Sequence, residues 1–329
     1  MKRDFSIDSL RFIGIVGIFL SHASSPPLIM NLRNFDVSLM VFVSAICMTY
    51  FSRPTSYTKY LKSRIIRLWF PVVIFVLGYY IISPNSFPFT KKDAPSRLLA
   101  ALFLYTPTYL WILRVFLLMS LVTPLFTKYI SRINDKKNFL IIIISIIVNE
   151  VLTRYAGNDD ERYLRCVCIM TLGYAIISYA GITIAQFSNM TIFKIGISFI
   201  CIFVILVILL RIRSGHFVNI QSMKYPPRLY YICFGLACSS LLYATRNRIS
   251  YFIHNSLLRS FISFIGSHTL WIYLWHIPII THFMHSYTWH IRFFIIFFIA
   301  TIITYIQTKI IEFIDNKYKL PILKKVFIG

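Results

Sequence analysis

Charge is scarce in this chain, and negative charge scarcer still. Of 329 residues, 14% are Asp, Glu, Lys or Arg, and only 11 are acidic. A soluble domain carries about a quarter charged residues, so an ordinary cytosolic enzyme is excluded. The six cysteines (Cys47, Cys166, Cys168, Cys201, Cys233 and Cys238) all lie inside apolar stretches. Cys166 and Cys168 form a C-x-C pair, yet no second Cys/His pair stands at zinc-site spacing. They read as buried small hydrophobes, with no disulfide frame and no metal. No internal repeat, low-complexity tract or linker divides the sequence, so residues 1–329 read as a single integral membrane domain.

Apolar residues are abundant. The chain is 57% hydrophobic and 17% aromatic, with a mean hydropathy of +0.70. Apolar runs bounded by charge or proline fall at about 7–24, 36–51, 66–83, 109–126, 138–153, 166–187, 192–210, 228–244, 261–281 and 291–314. The segment 97–106 is apolar but too short to span, and reads as interfacial or re-entrant. The expected fold is all-α: a polytopic membrane protein of about ten transmembrane helices. Lys2 and Arg3 precede the first run as they would in a signal peptide, but Asp8 and Arg11 interrupt it and no small-residue cleavage site ends it. It is expected to be retained as a span.

The net charge of +23 would suggest a nucleic-acid partner in a soluble protein. Here the basic residues sit between spans, where they report topology and contact with membrane lipid. With both termini inside, twenty Lys and Arg fall on inner segments and twelve on outer ones. The expected orientation is therefore N-in and C-in. The loop 211–227 runs against the pattern, being basic yet placed outside.

The informative charges are the few that break the spans, because an ionisable group there costs about 2.5–3.5 kcal/mol on insertion scales. Arg11 and His22 are eleven positions apart, which returns a helix to within about 20° of the same face, about 16 Å along its axis. Asp8 lies one turn before Arg11 and can pair with it. A snorkelling arginine with an interfacial histidine is the alternative for the same spacing. Arg64 and Arg67, i and i+3 at the start of the third span, could clamp a polyanion or anchor to anionic lipid. On the outer side, Asp36 is expected to reach His22, raising its pKa and fixing its tautomer. Arg114, Glu150 and His276 fall at similar depth and suggest a polar cavity. Trp271, in the aromatic segment Trp271-Ile-Tyr-Leu-Trp-His276, fits a sugar-stacking wall or an aromatic belt. His282 and His285 make an H-x-x-H pair without a third clear ligand.

These motifs together resemble the acyltransferase-3 family of integral membrane O-acyltransferases. The match is carried by Ile7-Asp8-Ser9-Leu10-Arg11 with His22, by Arg64-x-x-Arg67 with Leu68 and Pro71, and by the late Gly266-to-His276 segment. Trp111-Ile-Leu-Arg114 and Lys224-Tyr-Pro-Pro227 resemble segments of its polysaccharide O-acetyltransferase branch. Two positions depart from the pattern, Ser44-Ala45-Ile46 for S-G-F and His268 for serine. The resemblance implies a bacterial cytoplasmic-membrane enzyme that moves an acetyl group from acetyl-CoA to a hydroxyl of a glycan or lipid-linked sugar. It implies His22, Arg11 and Asp36 as catalytic, and Arg64, Arg67 and Arg11 on the donor. Arg114, Glu150, His276 and Trp271 would then face the acceptor, with Arg114 as an oxyanion donor. Direct attack and a transient acyl-histidine both remain open. A transporter or flippase of lipid-linked glycan is the rival reading, although internal repeats are absent.

Overall fold

A computed structural model describes residues 4–50, 56–83, 109–155, 162–283 and 287–328. The expected segment 97–106 and His285 lie outside these residues. The chain is all-α, with no strand among the described residues. In order, the helices are α1 (Phe5–His22), α2 (Pro27–Leu32), α3 (Asp36–Tyr50), α4 (Tyr57–Arg64) and α5 (Phe70–Ile82). They continue as α6 (Trp111–Ile130), α7 (Asp135–Tyr155), α8 (Arg162–Ile184), α9 (Asn189–Ser214) and α10 (Leu229–Phe252). Last come α11 (Ser256–Ser267), α12 (Thr269–Phe283), α13 (Trp289–Tyr318) and α14 (Pro321–Phe327). A π-helical turn, Ile65–Trp69, joins α4 to α5, and short 3-10 turns cover Arg33–Phe35 and Ile220–Met223.

Local chemistry sets several of the boundaries. Asp4 caps α1 by accepting from Ser6 N at 2.9 Å, Ser188 caps α9 through Thr191 N, and Asn255 caps α11 through Leu258 N. Gly215 ends α9 at φ 75°, a left-handed position that glycine adopts without steric cost.

Among the described residues, seven helices are long and apolar enough to span a membrane, against the ten apolar runs of the sequence. The difference falls on three runs. The described apolar part of α8, Cys168–Ile184, is short. In α10 the hydropathy is diluted by Ser239, Ser240, Arg246 and Arg248. The run 261–281 is broken between α11 and α12 at His268, whose ring Nδ1 lies 2.7 Å from the Phe264 carbonyl.

Burial separates centre from periphery. The most apolar stretch of Pro27–Tyr50 is 67% buried, whereas that of α9 is 6% buried. So α3 is enclosed by α1, α6, α8 and α10, while α9 packs on α10 and presents the rest of its apolar surface outward. Close approach in the centre depends on small residues. A Cβ on Gly17 would meet Asp36 Cβ at 2.9 Å, and one on Gly266 would meet the Asp8 carbonyl oxygen at 2.5 Å. These contacts draw α3 and α11 onto α1, the helix that carries both Arg11 and His22.

Candidate active site

The N-terminal half of α1 borders a cavity of about 500 Å³. Arg11, Arg64 and Arg67 line it, together with Asp4 and Asp8. Arg11 lies 3.8 Å from Asp8, which is buried, and keeps 28% of its own side chain exposed. Arg64 ends α4 and Arg67 falls within the π turn, so an irregular helix segment delivers both guanidiniums to one cavity. Arg64 also lies over the Tyr60 ring at 5.0 Å. The walls are mixed: Ile7, Ile15, Ile18, Leu113 and Phe116 are apolar, and Ser44, Ser120, Ser267, His268 and Thr269 are polar. From Asp4 to Ile18 the lining follows α1 for about 21 Å at 1.5 Å per residue. The far end reaches Ile18, one turn before His22, and Tyr273, whose ring centroid is 6.5 Å from that of His22.

His22 ends α1 and is half-buried. Its Nδ1 lies 2.9 Å from Nε2 of His276, which is fully buried on α12. The two imidazoles stack at 4.8 Å and 16°. Phe19 backs His276 at 5.2 Å, and Tyr109 sets its edge against His22 at 4.8 Å. The Nδ1 of His276 bonds the Tyr273 carbonyl, and the Tyr273 hydroxyl donates to the Tyr109 carbonyl. A carbonyl can only accept, so Nδ1 of His276 carries its proton and Nε2 bears the lone pair. That lone pair accepts from Nδ1–H of His22, leaving the His22 Nε2 lone pair unprotonated. One backbone carbonyl is thus linked through His276 to the tautomer of His22.

The expectation that Asp36 orients His22 is corrected. Asp36 is committed elsewhere: Oδ2 accepts from Arg33 Nη1 at 2.8 Å, and Oδ1 accepts from Lys224 Nζ at 3.0 Å and Val37 N at 2.7 Å. Arg33 also bonds Gln221 Oε1 at 3.0 Å. The side chains of Arg33, Lys224 and Asp36 are 4%, 2% and 1% exposed. Burial pushes the Lys224 ammonium below the usual lysine range, with Asp36 pulling the other way. The Lys224 ammonium faces the rings of Trp111, Tyr225 and Tyr231 at about 6 Å.

The remaining candidates divide. His276 joins His22, as described. Glu150 instead holds the start of α10, bonding Arg228 and accepting from Leu229 N at 3.1 Å, with Arg154 at 3.2 Å. Asn149 on the same helix donates to the Pro227 carbonyl at 2.7 Å. Arg114 is half-buried on α6 and is not part of the cavity lining. Trp271 lines the cavity, with its indole N–H bonded to Val326 O at 2.9 Å. Sequence reasoning missed Arg33, Lys224 and Tyr109 as parts of the site. Arg33 was accessible through its i,i+3 spacing to Asp36, whereas the lysine partner, 188 positions away, was not.

A polytopic helical membrane protein with an arginine-lined cavity that reaches to within one turn of a histidine pair is the class that fold and site define. The acyltransferase-3 family model, described as an acyltransferase domain, matches residues 4–308. The chain belongs to that family and is a membrane acyltransferase. No curated protein and no solved structure matches it.

Proposed function

We propose that the protein is an O-acetyltransferase of the bacterial cytoplasmic membrane, of the polysaccharide-modifying branch, taking its acetyl group from acetyl-CoA and placing it on a hydroxyl of a surface-glycan sugar. The observation that carries this reading is the continuity of one cavity along α1, from three arginines to the turn below His22. Arg11, Arg64 and Arg67 hold the phosphates of the donor, where planar guanidiniums give charge-assisted, bidentate bonds. The mixed apolar and polar walls suit the extended arm, which carries the thioester toward His22.

The acceptor hydroxyl gives its proton to Nε2 of His22 as its oxygen attacks the thioester carbonyl carbon. The carbon–sulfur bond breaks, the sulfur leaves as thiolate, and the proton on His22 passes to that sulfur. The products are an acetyl ester and free CoA, and His22 returns to its starting tautomer. His276 steadies the imidazolium that forms in between, replacing Asp36 in that role.

The test uses membranes containing the protein, isotope-labelled acetyl-CoA and the surface glycan. The expected result is label in the glycan and a gain of one acetyl mass per modified sugar. Glycan that crosses the membrane without any mass gain would overturn the reading in favour of a transporter.

A further inference from the structure

The family match stops at residue 308, inside α13. Beyond it α13 continues to Tyr318, and α14 then packs against the π turn that carries Arg67, and against α5. Two side-chain bonds fix this last helix, and a third steadies one of them. Trp271 Nε1 donates to Val326 O at 2.9 Å and Gln307 Nε2 donates to Phe327 O at 2.8 Å. Gln307 is itself held by Trp275 Nε1, which donates to its Oε1 at 2.7 Å. Phe327 stacks on Trp271 at 5.4 Å and 15°. The carbonyls that Trp271 and Gln307 capture lie in the final turn of α14, where the helix has no partner of its own for them.

The next residue, Ile328, lines the donor cavity. Its N–H bonds the Lys324 carbonyl at 3.0 Å, so the helical register persists across those four residues. Residues i and i+4 share a helix face. Lys324 therefore stands on the same stripe as Ile328, one turn further along, and it is exposed. Lys325, three residues before Ile328, lies about 60° from it on the other side and is likewise exposed.

We propose that α14, which lies beyond the matched residues, is a donor-binding element: Ile328 completes the cavity wall, and Lys324 supplies a further cation to the phosphates of the acyl donor. The proposal rests on the reading of that cavity as the donor site. Trp271 and Gln307 are positioning residues, acting through α14.

The experiment measures binding of unacylated CoA to the purified full chain in detergent, by calorimetric titration at low and high salt. Lys324→Ala is expected to weaken binding about five-fold at low salt, with the loss shrinking at high salt and reversed by Lys324→Arg. Gln307→Leu, which releases the end of α14, is expected to weaken it about ten-fold. Because Lys324 is exposed, its substitution leaves the fold intact even if Gln307→Leu proves unstable. Arg64→Ala reports on the donor site itself. Weakened binding by Arg64→Ala with unchanged binding by Lys324→Ala would overturn the role of α14 alone. Unchanged binding in both would bring down the donor reading and the role of α14 with it.

Discussion

The two ends of α1 treat charge in opposite ways. At the N-terminal end, Arg11 keeps 28% of its side chain exposed, and Arg64 and Arg67 face the same open cavity, with Asp4 and Asp8 the acids in its wall. At the C-terminal end, Arg33 and Lys224 close on both oxygens of Asp36, and almost no surface remains. Removing ions from water costs several kcal/mol each, and geometry must offset it. A closed cluster is therefore fixed and serves the fold. An open cluster keeps its excess charge hydrated and available to a polyanion. The comparison separates charges that hold α1 in place from charges that can bind.

The largest expected effect falls at the last residue of α1. His22→Ala should lower acetyl transfer by about 1,000-fold at equal protein level, within the range for loss of a general base. Residual transfer near the parent rate would move the base elsewhere. Next comes the closed cluster. Asp36→Ala leaves Arg33 and Lys224 buried without their carboxylate, and should cost about 3–5 kcal/mol of stability. A lowered melting temperature in detergent measures this, and adding Lys224→Met should recover part of it. An unshifted melt would show that the cluster is not closed. At the open end, Arg64→Ala should raise the KM for acetyl-CoA about ten-fold while the melting temperature holds. A matching fall in stability would make the two ends alike. The smallest effect is expected at Arg154, whose side chain is 64% exposed in its pair with Glu150. Arg154→Ala should cost under about 1 kcal/mol, since Arg228 and Leu229 N still engage that carboxylate.

Much of the site was legible wherever partners lie on one helix. The shared face of Arg11 and His22 follows from helical geometry, and the Asp8–Arg11 pair from i,i+3 spacing. The fold class followed from the apolar runs, each of which falls within a helix or a helix pair. Where a run failed as one span, the cause is local: His268 divides α11 from α12, and polar residues dilute α10. Partner choice across the bundle was not legible. Asp36 lies a short loop from His22 in sequence, yet it turns to Arg33 and to Lys224. His276, placed only at similar depth, proves to be the imidazole's partner.

The basic loop between α9 and α10 ran against the charge rule for topology, and tertiary structure supplies the reason. Two of its cations, Lys224 and Arg228, do not mark a membrane side. They reach into the bundle to meet Asp36 and Glu150, two of the 11 acids in the chain. Gly17 and Gly266 have a comparable role, since their missing side chains become meaningful only once α3 and α11 lie against α1.

The sequence by itself determined that the chain is a helical membrane protein, that Arg11 and His22 share a face, and that the family is that of the membrane acyltransferases. Periodicity, hydropathy and short motifs are local properties, and they survive without knowledge of contacts. Only the tertiary structure decided which groups meet: His22 with His276, Asp36 with Arg33 and Lys224, Trp271 with the end of α14. In a low-dielectric interior each buried polar group must find a partner, and which one it finds depends on helix packing, with partners as many as 254 positions apart.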